Sequence, residues 1–289
     1  MYSRPQISRR WKHLQIGREI MIGVVGGTGN TGRTVVAALQ AKGADFRCLV
    51  RDPAAAAEKL GSDVELVQAD VADAATIEAG LAGCDKLFLL TGHSPVMEAQ
   101  QIDAIEAAKR AGVSHVVKLS GGDAIVQEVT DAKIGHAHWK VEEMLKTSGV
   151  EWTILRPAFF MQNFLNMADM VKGMGKVMMP MAADTPISMI DVRDTGDVAA
   201  AVLTGDGHNG KTYFLGSAVS TPSDFTAALS SELGSDVAFV EVPMEGAVGA
   251  MKERGMPDWL VDHQSTLMGI VGAGKAAGTT DYIEQIAGH

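Results

Sequence analysis

The stretch "VVGGTGNTGR" places Gly26, Gly29 and Gly32 at G-x-x-G-x-x-G spacing. It joins an apolar run, "MIGVVGG", to a helix-like segment, "NTGRTVVAALQAKG", that Gly43 closes. Glycines in such a place allow a tight turn, close backbone approach to a pyrophosphate and tight packing of helix on strand. The helix N-terminus then directs its amides at the phosphates. A glycine motif alone is weak evidence, but this one sits between the first strand and first helix of an alternating series and predicts dinucleotide binding. Thr28, Asn30, Thr31 and Arg33, within and just after the turn, join the glycines as expected cofactor contacts. The competing reading is a glycine-rich turn that binds nothing.

The end of the second strand selects the nucleotide. An acid there accepts from the ribose 2′-OH of NAD, whereas an arginine suits the 2′-phosphate of NADP. Here "LVRDP" puts Arg51 in that place, and a guanidinium can bond a phosphate through two charge-assisted hydrogen bonds. NADPH is therefore the expected cofactor, with NAD the lesser alternative. Asp52 follows at once and could take the ribose instead; Arg51 could also be a solvated surface residue. Asp70, ending "VELVQAD", falls where the adenine edge should lie, or else caps the next helix. Thr91 and Gly92, after the fourth strand, and Pro157, after the sixth, should border the cofactor, because ligands of open sheets lie beyond the carboxyl ends of the strands.

A second stretch, "KIGHAHWKVEE" (residues 133–143), could carry proton chemistry. Ile134, His138, Val141 and Leu145 recur at helical spacing and make one inward, apolar face. His136, Lys140 and Glu143 fall on other faces. A histidine on the inward face titrates in the range needed to protonate a reduced acceptor. The plain alternative is a core histidine bonded to a backbone carbonyl. Ser120, at the end of the fifth strand, is a second catalytic candidate or a turn-capping serine. Phe159, Phe160, Met161 and Phe164 could wall a site for flat aromatic substrates. The methionines from Met167 to Met181 are either a pliable extension of that wall or core filler. No metal is expected.

These groups need a frame. From Met21 onward, short apolar runs alternate with helix-like segments: "DFRCLVR", "VELVQAD", "KLFLLT", "HVVKLSG" and "EWTILRP" are strands, each separated by a helix. That alternation predicts an α/β fold, a Rossmann-type doubly wound parallel sheet. Burial on both faces explains why the strands are continuous apolar runs. After residue 157 the rhythm loosens into a small C-terminal α/β substrate lobe, expected over 158–289 and partly interleaved with the sheet. Within it "DTGDVAAAVLTG" reads as a helix opened by Asp194, and "TPSDFTAALSSELG" as a helix capped by Thr221 with Pro222 first.

The 289-residue chain can bury a large core. Its net charge of −10 argues against nonspecific binding to nucleic acid or anionic membrane. No apolar run approaches the ~18 residues of a membrane span. Cys48 and Cys84 read as buried free thiols of a reducing, cytoplasmic setting. Residues 1–20 hold five Lys or Arg and one acid, and read as a disordered extension outside the fold.

"GGTGNTGR", "LVRDP", "LSGG" and "SGVEWTILRPAFFMQNFL" together resemble the NmrA-like branch of the atypical short-chain dehydrogenase/reductases, over roughly Met21 to Gly246. The resemblance implies a Rossmann domain, a small substrate lobe and a preference for NADPH. It does not imply one substrate, because the branch holds quinone and dye reductases and a redox-sensing regulator. Many short-chain reductases carry a catalytic Tyr-x-x-x-Lys. Counting back from Glu142 and "TSGVEW", the lysine's place holds His138 and the tyrosine's holds Ile134. The family's usual Pro-aromatic tail is replaced here by "IEQIAGH". The expected function is NADPH-dependent hydride transfer to a quinone or similar conjugated aromatic acceptor, whose delocalised anion needs little help from an acid. The alternative is a non-catalytic NADP(H) sensor. The expected partners are a small aromatic or quinone-like substrate, with no nucleic acid or membrane, and a homodimer is possible.

Overall fold

One reversal of strand order in the main sheet positions everything that follows. The computed structural model describes residues 20–289, so the expected extension over 1–20 lies, but for Ile20, outside the described residues. The strands are β1 (Met21–Val25), β2 (Asp45–Val50), β3 (Glu65–Gln68), β4 (Lys86–Leu89), β5 (His115–Leu119), β6 (Glu151–Pro157), β7 (Phe159–Phe160), β8 (Lys176–Met179), β9 (Ile187–Ile190), β10 (Lys211–Leu215), β11 (Ala218–Ser220) and β12 (Ala238–Glu241). The helices are α1 (Asn30–Ala41), α2 (Pro53–Leu60), α3 (Ala74–Gly80), α4 (Met97–Arg110), α5 (Lys133–Thr147), α6 (Ala168–Met174), α7 (Val192–Thr204), α8 (Pro222–Leu233), α9 (Met244–Glu253), α10 (Asp258–Gly272) and α11 (Tyr282–Ala287).

The main sheet has seven strands in the order β10-β6-β5-β4-β1-β2-β3, and every pairing is parallel. The chain runs outward from β1 through β2 to β3, then returns to β4 on the other side of β1. A crevice therefore opens between the carboxyl ends of β1 and β4, where open α/β sheets bind ligands. This is the doubly wound architecture the alternation implied. "TYFLG", which falls in the C-terminal half of the chain, supplies edge strand β10 to this sheet.

Helices cover both faces. Val35, Val36 and Leu39 of α1, Val198 and Val202 of α7 and Ile283 of α11 pack with Ile22, Val24, Phe88 and Val117 of the sheet. On the other face, Ile77, Ile105, Val141 and Leu145 meet Leu49, Leu87, Val116 and Ile154. Strand residues alternate between these two cores, the period-two pattern of a pleated strand. Cys48 and Cys84 are free and buried. Burial pushes the Cys48 thiol up to about 12, so it packs as a small apolar group.

Two helix starts show how far local chemistry can be read. Thr221 accepts from the Asp224 amide, and Asp224 reaches back to the Thr221 amide, a full capping box ahead of Pro222. The start of α7 differs from expectation. Asp191, not Asp194, is its cap and accepts from the Arg193 amide at 2.8 Å. Val192 already belongs to the first turn, so Asp194 sits inside the helix. The lobe holds the small sheets β11-β9-β7 and β12-β8 around a core of Phe164, Val177, Met179, Met181, Ile187 and Met189. Among the described residues no helix is long and apolar enough to cross a membrane.

Candidate active site

The turn after β1 is built so that only glycine fits at two of its positions. Gly26 has φ +86°, and a Cβ there would stand 2.2 Å from the Leu90 carbonyl oxygen at the end of β4. A Cβ on Gly32 would lie 2.0 Å from the Gly26 oxygen. Gly29 is different: its added Cβ would meet nothing nearer than the Gly26 oxygen at 3.5 Å. The protein's own packing therefore does not demand glycine at 29, and the bare backbone leaves room for a ligand. Gly29 is also the N-cap of α1, and no side chain caps that helix. Its first amides and its dipole point into the crevice, which fits a pyrophosphate. Thr28 is half-buried beside them and Thr31 is buried. Asn30 accepts from the Arg33 guanidinium at 3.1 Å, which holds Arg33 over the turn.

Arg51 is exposed at the end of β2. Asp52 accepts from the Ala55 amide at 3.0 Å and caps α2. Asp70 accepts from the Ala72 amide at 3.0 Å, so it braces the turn ahead of α3, whose cap is Asp73. Thr91 receives a hydrogen bond from Gln101 Nε2 at 2.8 Å, and Gly92 is exposed beyond it. Pro157 closes β6, and its carbonyl oxygen would stand 2.9 Å from a Cβ on Gly122. All these residues lie at the carboxyl end of the sheet. Together they fit a dinucleotide with a 2′-phosphate: a bare helix start, a glycine floor and an arginine whose neighbouring acid is engaged elsewhere.

Farther along the same edge lies a buried basic cluster. Ile134, His138, Val141 and Leu145 are all buried on α5, the inward face expected from their spacing. His138 is 3% exposed. Its Nδ1 lies 2.9 Å from Nζ of Lys118, a fully buried lysine on β5 that also donates to the Leu119 carbonyl. His138 Nε2 is buried with no hydrogen-bond partner among the described residues. His93, on the segment after β4, sets its ring edge-on to both His138 and His263 of α10, with centroids 5.7 and 4.9 Å apart. His136 faces elsewhere and stacks on Trp139. Among the described residues no group of three or more His, Cys, Asp or Glu side chains is arranged to hold a metal ion.

One expectation about His138 needs correction. Burial, followed by the neighbouring Lys118, holds its pKa well below the ordinary 6.5. A desolvated ring beside cations resists a further charge, so His138 is a neutral imidazole at physiological pH, with one ring proton and not the two of an imidazolium. The group that titrates near neutrality is Lys118, which burial pushes down to about 7.

Ser120 also has a defined partner. Its hydroxyl donates to Glu142 Oε1 at 2.6 Å. Glu142 is fully buried on α5 and bridges to Arg156 of β6 through both oxygens. Arg156 donates in turn to Asp123 at 3.0 Å. The Ser120 proton is thereby held by a carboxylate, which leaves the hydroxyl oxygen able to accept.

The expected aromatic wall divides. Phe164 is buried and stacks on Phe225 at 3.7 Å between centroids, so it belongs to the lobe's core and not to a cleft. Phe159 and Met161 pack against that same core, while Phe160 turns to the sheet core beneath α1 and α7. Met179 and Met181 are core filler.

The chain matches the NmrA-like family over residues 19–266. It belongs to that family. One relative, the NAD(P)H azoreductase of Xenophilus azovorans, is 35% identical over 271 residues, 93% of each chain. Another, the (4-alkanoyl-5-oxo-2,5-dihydrofuran-3-yl)methyl phosphate reductase of Streptomyces griseus, is 36% identical over 82% of each chain. Among solved structures, the NADPH-dependent quinone oxidoreductase of Escherichia coli in complex with NADPH superposes with a TM-score of 0.83 at 27% identity, covering 93% of this chain and 95% of the other.

Within this NmrA-like frame, sequence reasoning missed Lys118, Glu142, Arg156, His93 and His263. One signal was available. "HVVKLSG" sets a lysine inside a strand buried on both faces, and lysine is almost never fully buried without a partner. His93 and His263 carried no comparable sign, because only the fold brings α10 and the segment after β4 together.

Proposed function

We propose that this chain is an NADPH-dependent reductase of quinones, azo compounds and related conjugated acceptors. One observation carries the reading. Ile134 and neutral His138 lie on the buried face of α5, and on the family resemblance they take the places of a short-chain reductase's tyrosine and lysine. A ketone needs a strong acid at its oxygen as hydride arrives, whereas a conjugated acceptor spreads the charge and needs only a weak donor.

NADPH, when bound, supplies the hydride. The α1 N-terminus, Gly29 and Arg51 would hold its phosphates, and the carboxyl ends of β4 and β5 would set the face it presents. The chain's own contribution is orientation and a proton donor at His138 Nε2. The relatives support this choice of acceptor: their names join an azo group, an unsaturated lactone and a quinone, all conjugated acceptors.

The test is loss of NADPH absorbance with a panel of quinones, azo dyes and enones. Turnover of any of them supports the reading. Tight NADP binding with none consumed would make the chain a nucleotide sensor.

A further inference from the structure

We propose that Lys118 and His138 form a two-member proton relay that delivers the acceptor's proton, in place of a tyrosine acid. This rests on the reading of the chain as a reductase of conjugated acceptors. In its ammonium form the lysine sets the direction of each hydrogen bond. An ammonium has only donors, so Lys118 Nζ donates to His138 Nδ1 across 2.9 Å. The ring proton therefore sits on Nε2, the tautomer set by the partner of the other nitrogen. That Nε2–H is buried and donates to nothing among the described residues. A buried unmatched donor is costly and calls for an explanation. Here it is an acceptor atom of the substrate, an azo nitrogen or a quinone oxygen.

The electrostatics suit a relay. Groups from every surrounding element face the pair: Glu142 of α5, Arg156 of β6, Ser120 after β5, His93 after β4 and His263 of α10. Glu142 favours the charged lysine, and burial and Arg156 oppose it. His138 stays neutral, so it can pass a proton along without holding one. Gly121 lies beside the ring: a Cβ there would stand 3.4 Å from His138 Cδ2, the atom next to Nε2, and 3.1 Å from Ile125 and Val126. The His93 ring stands edge-on to His138, 5.7 Å between centroids, and an acceptor would reach Nε2 by displacing it.

The step balances. Hydride arrival brings two electrons and leaves the acceptor as an anion. The His138 Nε2–H bond breaks and an N–H or O–H bond forms on the acceptor. A Lys118 Nζ–H bond breaks and an Nδ1–H bond forms on His138. Lysine ends as a neutral amine, and the imidazole ends neutral as the opposite tautomer. After product leaves, water gives a proton to Nε2, and the Nδ1 proton returns to Lys118.

Lys118→Gln is the decisive variant. Its amide can still donate to Nδ1 and hold the ring, but it has no proton to release. With methyl red as acceptor, kcat should fall about 100-fold, and with menadione about 10-fold or less, because the azo anion is the more basic. Wild-type kcat should decline as pH rises through about 7, and this limb should vanish in Lys118→Gln. In the cofactor-free protein, nitrogen NMR should show His138 with its proton on Nε2 and its Nδ1 signal shifting with pH near 7. Lys118→Gln should remove that shift. Full activity with the pH limb intact in Lys118→Gln, or an Nδ1–H tautomer in the wild type, would overturn the relay. If Lys118→Gln fails to fold, the wild-type NMR titration decides alone. If wild type reduces no acceptor, the functional reading fails, while the NMR result still tests the pair.

Discussion

Asp52 accepts from the Ala55 amide at 3.0 Å, and the acid that follows Arg51 is thereby engaged as a helix cap. That one bond separates two cofactor readings the sequence left open. Arg51 remains exposed beside it. Arg51→Ala should weaken NADPH binding by about 1.5–3 kcal/mol, the range for a hydrogen bond to a charged group, and leave NADH nearly unchanged. Asp52→Ala should cost about 1 kcal/mol of stability through the lost cap and leave the NADPH:NADH preference intact. Titration calorimetry with both nucleotides checks the pair. Equal losses for both in Arg51→Ala would make the residue structural.

Two glycines of the turn should fail in different ways. Gly32→Ala forces a methyl to 2.0 Å from the Gly26 oxygen, so the turn must move and both Tm and cofactor affinity should drop. Gly29→Ala meets only an ordinary contact at 3.5 Å. Its Tm should hold, and only nucleotide affinity should fall, by ten-fold or more as an order of magnitude for a blocked backbone approach. Thermal shift with and without NADP separates the two. A Gly29→Ala protein that binds normally would remove the pyrophosphate from the start of α1.

How much of this was readable in the chain depended on whether the physics was local. The strands β1 to β6, the glycine turn, the inward face of α5 and the Thr221 capping box all follow from spacing within a dozen residues. Phe164 shows the opposite case. Its place beside Met161 suggested a cleft wall, but stacking on Phe225, sixty-one positions on, draws it into the lobe's core. The titration of His138 was misread for the same reason. An isolated imidazole suits neutral pH, but burial and a lysine twenty positions away hold this one below it.

Lys118 should also leave a mark on stability. In the unfolded chain its amine stays protonated up to about 10.4, whereas in the fold burial holds it to about 7. Between these values the unfolded chain binds more protons, so this group makes stability rise with pH across that window. Cys48 acts in the opposite sense above about 8.5, since its thiol is held protonated only in the fold. The difference between wild type and Lys118→Met cancels the cysteine. Lys118→Met should be the more stable of the two at pH 6 and should lose that advantage progressively by pH 9. Urea unfolding across the range measures it. A difference that does not vary with pH would mean the lysine is not titrating as its burial requires.

The last expectation concerns the two histidines of one helix. His138 lies on the buried face of α5, bonded through Nδ1 to Lys118, with Nε2 unpartnered among the described residues. His136, two residues earlier, stacks on Trp139 at 5.7 Å and faces away. Removing His138 takes away the donor but not the hydride geometry, and a conjugated anion can collect its proton from water. His138→Ala should therefore lower kcat by roughly 10- to 100-fold, at or below the low end for general acid catalysis. KM should change little if the ring acts on the reduced acceptor and not on binding. The loss should shrink for acceptors with less basic anions. His136→Ala should leave kcat within about two-fold, as expected for a side chain outside the reacting geometry. Steady-state kinetics on both variants, with quinone and azo acceptors, decide the point. Equal activity in both would mean the site works by binding and orientation alone. Sensitivity at His136 instead would place the reacting atoms on the other face of α5, against the packing of Ile134, Val141 and Leu145.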